Sequence, residues 1–175
     1  MINKNQLLFV VDENNNPIES KPRKEVHEKG YWHRTSHIWI INSQNQILCQ
    51  RRSLLKDSNP GKWESFFGGH MVAETDYADN AVTELKEELD IIIKKDELYL
   101  FMKYKCESGK EFQSVFILHW DGNIEILKLE KDEIDQVKWM PIEKLYEVLV
   151  TKQNNDWSKM GYERKLLDYF KKTIE

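Results

Sequence analysis

Short apolar runs separated by polar turns dominate the amino-acid sequence, and this pattern is typical of β-strands. Residues 42–45, Asn-Ser-Gln-Asn, separate two of these runs and are typical of a hairpin connection. Residues 21–30 are strongly charged and end in a glycine, so we expect a loop with one helical turn there. The predicted strands are residues 6–12, 33–41, 46–52, 98–104, 112–120, 124–129 (an edge strand) and 137–140.

Other segments repeat apolar residues at helical spacing. The predicted helices are residues 76–89, 142–150 and about 158–173. Thr75 or Asp76 can cap the first helix, and Pro141 can occupy the first helical position of the second. Because no repeat, low-complexity segment or linker interrupts the pattern, we predict one α+β domain over residues 1–175. Its mixed sheet would carry helices on its faces.

The helix predicted at residues 76–89 has an apolar face beside an acidic face. Glu84, Glu87 and Glu88 lie within an arc of about 100° when the helix has 3.6 residues per turn. Like charges at these spacings destabilise a helix by roughly 0.2–0.5 kcal/mol per pair, and a divalent cation would remove that repulsion. Considered alone, the acidic face is more typical of a solvated helix surface than of a metal site.

A glycine turn, Gly68-Gly69, precedes this helix and favours the cation over the solvated surface. The backbone groups of such a turn can add a ligand or approach a phosphate closely. Clustered carboxylate oxygens suit a hard cation such as Mg²⁺ or Mn²⁺, which is commonly shared with substrate phosphates.

Composition excludes several classes of function. The net charge of −4 argues against general binding of nucleic acids or anionic membranes, which requires a basic surface. No apolar run approaches the roughly 20 residues of a membrane span, and the apolar patch near the N-terminus is too short for a signal peptide. Cys49 and Cys106 form no disulfide framework and fit a reducing compartment. We therefore expect a cytoplasmic protein.

The segment from Gly69 to Ile91 resembles the Nudix box, in which a glycine precedes a helix that carries a Glu-apolar-x-Glu-Glu pattern. The matching positions here are Gly69, Glu84, Leu85, Glu87, Glu88 and Ile91. The resemblance covers residues 34–150 and implies an α/β/α sandwich, with residues 1–33 as an N-terminal extension. It also implies that Glu84, Glu87, Glu88 and the Gly69 carbonyl bind Mg²⁺ or Mn²⁺.

This chain departs from the box at three positions. Thr75 stands where the first Glu is expected, Thr83 replaces an Arg that orients the glutamates, and Asp90 replaces the final Gly. Glu74 lies one residue out of register. These departures favour an alternative, a degenerate Nudix domain that binds a diphosphate ligand or a partner without turnover.

The segment from His33 to Gly69 resembles the Nudix branch that includes isopentenyl-diphosphate isomerase. In that enzyme two N-terminal histidines, the histidine of the glycine turn and downstream glutamates form a metal site. The corresponding positions here are His27, His33, His70 and Glu111, although the spacing between the first two is one residue short. Gly68 replaces the catalytic Cys of the isomerase, so this activity is disfavoured.

Basic residues near the glycine turn are the candidates for contact with phosphate. Arg51 and Arg52 end a strand, with Lys62 and His70 also nearby in the sequence. Since adjacent strand residues point to opposite faces, at most one of the two arginines should face a given site. Glu111, at the start of another strand, is a candidate general base for a metal-bound water.

Together these features predict a metal-dependent Nudix pyrophosphohydrolase. It would cleave the diphosphate linkage of a nucleoside diphosphate derivative or a related organic diphosphate, with Glu84, Glu87, Glu88 and Glu111 as catalytic residues. The group attached to the diphosphate is left open, and so is the oligomeric state, for which a homodimer has the highest base rate.

Overall fold

The computed structural model describes residues 6–72, 75–152 and 154–174. Their backbone groups into two compact units, and the chain passes between them several times. The first unit takes the described residues of 1–38, 68–87 and 91–117, and the second takes 39–67, 88–90 and the described part of 118–175. The single domain expected over residues 1–175 stays a prediction.

The first unit is built on strands that pair around β3. Its elements are β1 (Leu7–Val11), β2 (Pro17–Pro22), α1 (Arg23–Lys29), the beginning of β3 (His33–Ile41), most of α2 (Tyr77–Leu89), β6 (Leu98–Cys106) and most of β7 (Glu111–His119). Strand β1 pairs with β2 and β3, and β7 pairs with β3 and β6. The register of β1 on β3 sets Val10 opposite His33.

Helix α1 is fixed on β1 by apolar packing and by its C-terminal cap. Val26 is fully buried and packs with Leu8 and Val10 of β1. Gly30 ends the helix in the left-handed region at φ 65°, which a residue without Cβ adopts at little cost, and its N–H donates to the carbonyl of Val26. This packing determines where the polar side chains of α1 lie.

The segment after the glycine turn is bound by backbone hydrogen bonds on both sides. The N–H of Met71 donates to the carbonyl of Arg34, and the Met71 carbonyl accepts from the N–H of Phe9. One residue earlier, His70 forms an isolated antiparallel bridge with Thr35 of β3. The main chain at residues 70–71 is therefore held by β1 and by β3.

The second unit is organised around β4 (Gln46–Arg52). This strand pairs with the end of β3, where Ile41 lies opposite Ile47, and with the short β5 (Trp63–Glu64). It also pairs antiparallel along its whole length with β8 (Ile134–Pro141). Helices α3 (Ile142–Tyr146) and α4 (Glu163–Ile174) complete the unit, and a π-helical turn at Glu147–Thr151 follows α3.

The predicted strands at residues 33–41 and 46–52 are confirmed at both ends. The predicted edge strand at 124–129 is wrong: Ile124–Ile126 form a 3₁₀ turn, and the Asn123 side chain accepts from the N–H of Glu125. Ile126 is 74% exposed, so the alternating pattern has no buried face there to support a strand.

Three further boundaries differ from the predictions. Residues 21–30 form the end of β2 and the seven-residue helix α1 rather than a loop with one turn. The C-terminal helix starts at Glu163 rather than 158, and the Glu163 carboxylate holds the non-helical residues before it by accepting from the N–H groups of Met160 and Gly161. Pro141 precedes α3 as its N-cap rather than as its first residue.

None of the helices among the described residues has the length and apolar character of a membrane span.

Candidate functional site

Helix α2 carries the three predicted carboxylates, and their environments differ. Its apolar face is fully buried through Ala81, Leu85 and Leu89. Glu87 is exposed, but Glu88 is only 7% exposed. Burying a carboxylate is costly unless it is paired or binds a cation, so Glu88 does not fit the alternative of a solvated helix surface.

The glycine turn packs directly against Glu84. A Cβ atom at Gly69 would lie 3.0 Å from Oε1 of Glu84, which is tighter than most real Cβ contacts, so the carboxylate would have to shift by a few tenths of an ångström. The Gly69 carbonyl accepts from the N–H of Ser36 at 3.0 Å and from Nδ2 of Asn80 at 3.4 Å. These bonds hold the turn against α2, and they also engage the carbonyl that the resemblance implies as a metal ligand.

The residues that depart from the box bond to the local backbone. Oγ1 of Thr83 donates to the carbonyl of Asp79 one turn earlier, and Oγ1 of Thr75 donates to the carbonyl of Val72. Asp90 follows the last residue of α2 and adopts the left-handed region at φ 58°, which glycine adopts at the lowest energetic cost. Its carboxylate forms an ion pair with Lys128 at 2.5 Å. Glu74 lies outside the described residues.

Three histidines meet in the first unit. His27 on α1, His33 at the start of β3 and His70 after the glycine turn offer ring nitrogens that all lie within 4.8 Å of one another. Their ring centroids are 4.9–5.1 Å apart. The structure therefore brings together the three histidines among the four positions that the isomerase resemblance singled out, and we call them the histidine cluster.

His33 is oriented for ligation. Its Nδ1 lies 2.9 Å from the carbonyl of Tyr31 and must donate to it, because a carbonyl only accepts. In the neutral ring the lone pair is then on Nε2, which is buried and has no hydrogen-bond partner in the described part of the chain. Histidines that bind metals commonly donate their second N–H to a carbonyl in this way.

Glu111 joins the cluster from β7. Its Oε1 lies 3.7 Å from Nε2 of His33, too far for a direct hydrogen bond, and its Oε2 accepts from Nε2 of Gln113 at 2.7 Å. Burial raises the pKa of Glu111, but the imidazoles of His33 and His37 and the Gln113 amide lower it more, so the pKa lies below its ordinary value. A carboxylate that stays ionised here can accept a proton or bind a cation.

Burial lowers the pKa of two histidines in the first unit. His27 is the most exposed member of the cluster, yet desolvation, the neighbouring His33 and the charge of Arg23 lower its pKa. His37, fully enclosed on β3, has its pKa lowered to about 4 by desolvation. Both rings are therefore neutral at pH 7.

Arg23 contacts the cluster and was missed by the sequence reasoning. Its Nη1 lies 2.8 Å from Nδ1 of His70. Arg23 precedes His27 by four residues, a spacing that places both side chains on one face of a helix. That spacing is a signal in the sequence, but it has meaning only once residues 23–29 are known to be helical.

The basic residues expected to bind phosphate lie in the second unit, and His70 lies in the first. Nη1 of Arg52 pairs with Oε2 of Glu64 at 3.0 Å, and burial raises the pKa of Glu64 while Arg52 opposes that rise. Nε of Arg51 donates to the carbonyl of Gly61 at 3.1 Å. Lys62 lies in the turn before β5. Phosphate binding by Arg51, Arg52, Lys62 and His70 stays a prediction.

The sequence model of the NUDIX domain family matches residues 31–161. An uncharacterized Nudix hydrolase of Clostridium acetobutylicum is 34% identical over 156 residues, which cover 84% of this chain and 75% of that protein. The chain belongs to the NUDIX family. The crystal structure of DR0079 from Deinococcus radiodurans superposes with a TM-score of 0.75 at 21% identity, and the match covers 94% of this chain and 98% of that one. The crystal structure of a MutT/nudix family protein from Enterococcus faecalis superposes with a TM-score of 0.58 at 11% identity, over 82% of this chain and 63% of that one. The predicted α+β Nudix sandwich is thereby confirmed.

Isomerases are also among the relatives of this Nudix chain. Isopentenyl-diphosphate Delta-isomerase 2 of Aromatoleum aromaticum is 27% identical over 143 residues, which cover 79% of this chain and 74% of that protein. The position of the isomerase Cys is Gly68 here, at φ 111°. A Cβ atom at this position would lie 2.2 Å from the carbonyl oxygen of Ser36. The backbone of this Nudix domain therefore has no room for a side chain there.

Proposed function

We propose that this Nudix domain is a pyrophosphohydrolase that requires Mg²⁺ or Mn²⁺. Its substrate would be a nucleoside diphosphate derivative or a related organic diphosphate. Membership of the Nudix hydrolase family indicates hydrolase activity in general. The observation that carries the finer proposal is the packing of the Gly69 turn against the carboxylate of Glu84.

The residues present fit a divalent cation. Glu84 and Glu88 are one turn apart on α2, Glu88 is buried, and Glu84 lies so close to the backbone turn that a Cβ at Gly69 would displace its carboxylate. These two carboxylates, with Glu87 as a third ligand, would hold the cation. When bound, such a cation neutralises phosphoryl oxygens and lowers the pKa of a water molecule. Because the Gly69 carbonyl already accepts two hydrogen bonds, the side chains rather than this carbonyl support the proposal.

Glu111 is the candidate for taking the proton from the attacking water. Its pKa is below the ordinary value, so the carboxylate is ionised at neutral pH and can accept a proton. Gln113 donates to its Oε2 and fixes its orientation. This role rests on the sequence resemblance and on the protonation state of the side chain.

A binding domain without turnover is the second candidate, and Thr83 favours it. Where the Nudix box has an Arg that orients the glutamates, the Thr83 hydroxyl bonds to the carbonyl of Asp79 on its own helix. Two observations disfavour isomerase activity. Gly68 lacks the reactive thiol, and the backbone around Gly68 leaves no space for a side chain at that position.

Hydrolysis of a substrate panel tests the proposal. The panel would contain nucleotide sugars, dinucleoside polyphosphates, nucleoside triphosphates, coenzyme A and prenyl diphosphates, with Mg²⁺ or Mn²⁺ and detection of released phosphate. We expect turnover of at least one class and a loss of about 100-fold or more for Glu88→Gln and Glu84→Gln. Glu143→Gln, at an exposed position of α3, is the matched control and should keep full activity.

The absence of turnover on this panel would separate the pyrophosphohydrolase from the binding domain. If no substrate is turned over but one of them raises the melting temperature in the presence of metal, the domain is a binder. Turnover that survives Glu88→Gln would contradict the assignment of the cation to α2.

A further inference from the structure

Arg23 and the histidine cluster are joined by one hydrogen bond whose direction is fixed. Nη1 of Arg23 lies 2.8 Å from Nδ1 of His70. A guanidinium group carries only donors and stays protonated in proteins, so Nδ1 of His70 is the acceptor. This assignment needs no assumption about the protonation of His70.

The bond determines which nitrogen of His70 carries hydrogen. A neutral imidazole has one N–H and one lone pair, so a ring that accepts at Nδ1 carries its hydrogen at Nε2. A metal ligand must present a lone pair. While Arg23 stays in place, the lone pair at Nδ1 is engaged and Nε2 has none, and neither nitrogen of His70 can bind a metal.

His33 has the opposite arrangement in the same cluster. It donates from Nδ1 to the carbonyl of Tyr31 and keeps the lone pair on the buried Nε2, which faces Glu111 at 3.7 Å. His33 is therefore set to ligate and His70 is not. The guanidinium also places a positive charge next to the cluster, which opposes the entry of a dication.

We propose that Arg23 is an internal competitor that keeps a divalent metal from His70 until an anion draws the guanidinium away. The anion is the diphosphate of the substrate, and in this respect the inference rests on the proposed function. Guanidinium groups pair with phosphates through charge-assisted hydrogen bonds, which are stronger than a bond to a neutral imidazole. Release of Arg23 frees the Nδ1 lone pair and allows the ring hydrogen to exchange between Nδ1 and Nε2, so either nitrogen of His70 can present a lone pair and complete the metal site with His27 and His33.

This competition makes anion binding and metal binding cooperative. An anion on Arg23 removes the competitor of the metal, and a metal on His70 leaves Arg23 available for the anion. Thermodynamic linkage requires the two effects to be equal in size. The cluster would therefore bind metal tightly only when substrate is present.

Titration of the full chain with Co²⁺ tests the competition without any turnover. The absorption spectrum of Co²⁺ reports histidine ligands, and calorimetry gives the affinity. Loss of one hydrogen bond to a charged group corresponds to a factor of about 10–100. We expect Arg23→Met to bind Co²⁺ about tenfold or more tightly than the wild type. Lys24→Met is the matched control, since it removes the same charge from the neighbouring position of α1, where the side chain is 71% exposed, and it should leave the affinity unchanged.

Two additions separate competition from a general change in charge. His70→Ala should abolish the difference between Arg23→Met and the wild type. Sulfate, a weak ligand of Co²⁺, should strengthen Co²⁺ binding to the wild type but not to Arg23→Met at matched ionic strength. Equal affinities of Arg23→Met and Lys24→Met would overturn the proposal.

The tautomer of His70 provides a test that needs no variant. Long-range ¹H–¹⁵N spectra of the metal-free wild type should show His70 with its hydrogen at Nε2 and His33 with its hydrogen at Nδ1. A hydrogen at Nδ1 of His70 would overturn the proposal even if Arg23→Met does not fold. A protein that is silent on the substrate panel but shows these titrations would contradict the proposed hydrolase and leave the role of Arg23 intact.

Discussion

Gly69 and Glu84 are in close contact: a Cβ atom at position 69 would be 3.0 Å from Oε1 of Glu84, so the carboxylate would have to shift by a few tenths of an ångström. The positive-φ residues of this chain include Gly68 but not Gly69, so the obstacle at position 69 is the carboxylate and not the backbone conformation. Gly69 is therefore needed for the position of Glu84.

Gly69→Ala should impair activity more than stability. The new methyl group displaces the Glu84 carboxylate by a few tenths of an ångström, and small misplacements of catalytic groups have large effects on rate. We expect metal-dependent turnover to fall by about 10-fold or more while the free energy of unfolding changes by about 1 kcal/mol or less. Turnover assays and urea denaturation measure the two effects. If Gly69→Ala keeps full activity, the close packing of the turn has no catalytic importance.

Gly68→Cys restores the thiol of the isomerase but should not restore its activity. The Cβ atom would lie 2.2 Å from the Ser36 carbonyl oxygen, so β3 or the turn must move. Gly30→Ala is the control, because Gly30 also has positive φ but nothing lies within 4 Å of its Cβ position. We expect a cost of about 1–2 kcal/mol for Gly30→Ala and a larger one for Gly68→Cys in urea denaturation. Formation of an allylic isomer by Gly68→Cys would contradict this prediction.

Arg52 should contribute more to stability than Arg51. Arg52→Met leaves the carboxylate of Glu64, only 3% exposed, without its cation. Breaking a buried ion pair on one side costs about 3–5 kcal/mol. Arg51→Met removes one hydrogen bond to the Gly61 carbonyl and should cost about 1 kcal/mol. The double variant Arg52→Met/Glu64→Leu should recover much of the loss, and a stability of Arg52→Met equal to that of Arg51→Met would show that the pair is not coupled.

Stability should fall between pH 6.5 and pH 4 because of His37. Its pKa is lowered from 6.5 to about 4 in the folded chain by burial, so the unfolded chain takes up a proton in this window that the folded chain does not. The contribution is fully present above pH 6.5, and about 3 kcal/mol is lost as the pH approaches 4. Urea denaturation as a function of pH measures it. His37→Gln should remove this part of the slope, and an unchanged slope would show that other groups cause it.

Strands with a buried face could be predicted from the pattern of apolar residues along the sequence. Strands at 33–41 and 46–52 have buried faces that the apolar pattern describes correctly, whereas the alternation at 124–129 is exposed and carried no information about pairing. The isomerase resemblance singled out His27, His33, His70 and Glu111, and the chain brings all four together. Arg23 could not be found in the same way, because its contact depends on a helix that the charged segment 21–30 did not predict.

The backbone bonds that hold residues 70–71 have a consequence for rate. Since Met71 is bonded to Phe9 and to Arg34, and His70 bridges to Thr35, the main chain under the histidine is fixed on both sides. Exchange of the half-buried Arg23 for a metal therefore needs rotation of side chains and not the opening of a loop, and loop motions are slower than side-chain rotation. A metal at this position should therefore exchange without rearrangement of the main chain rather than stay trapped.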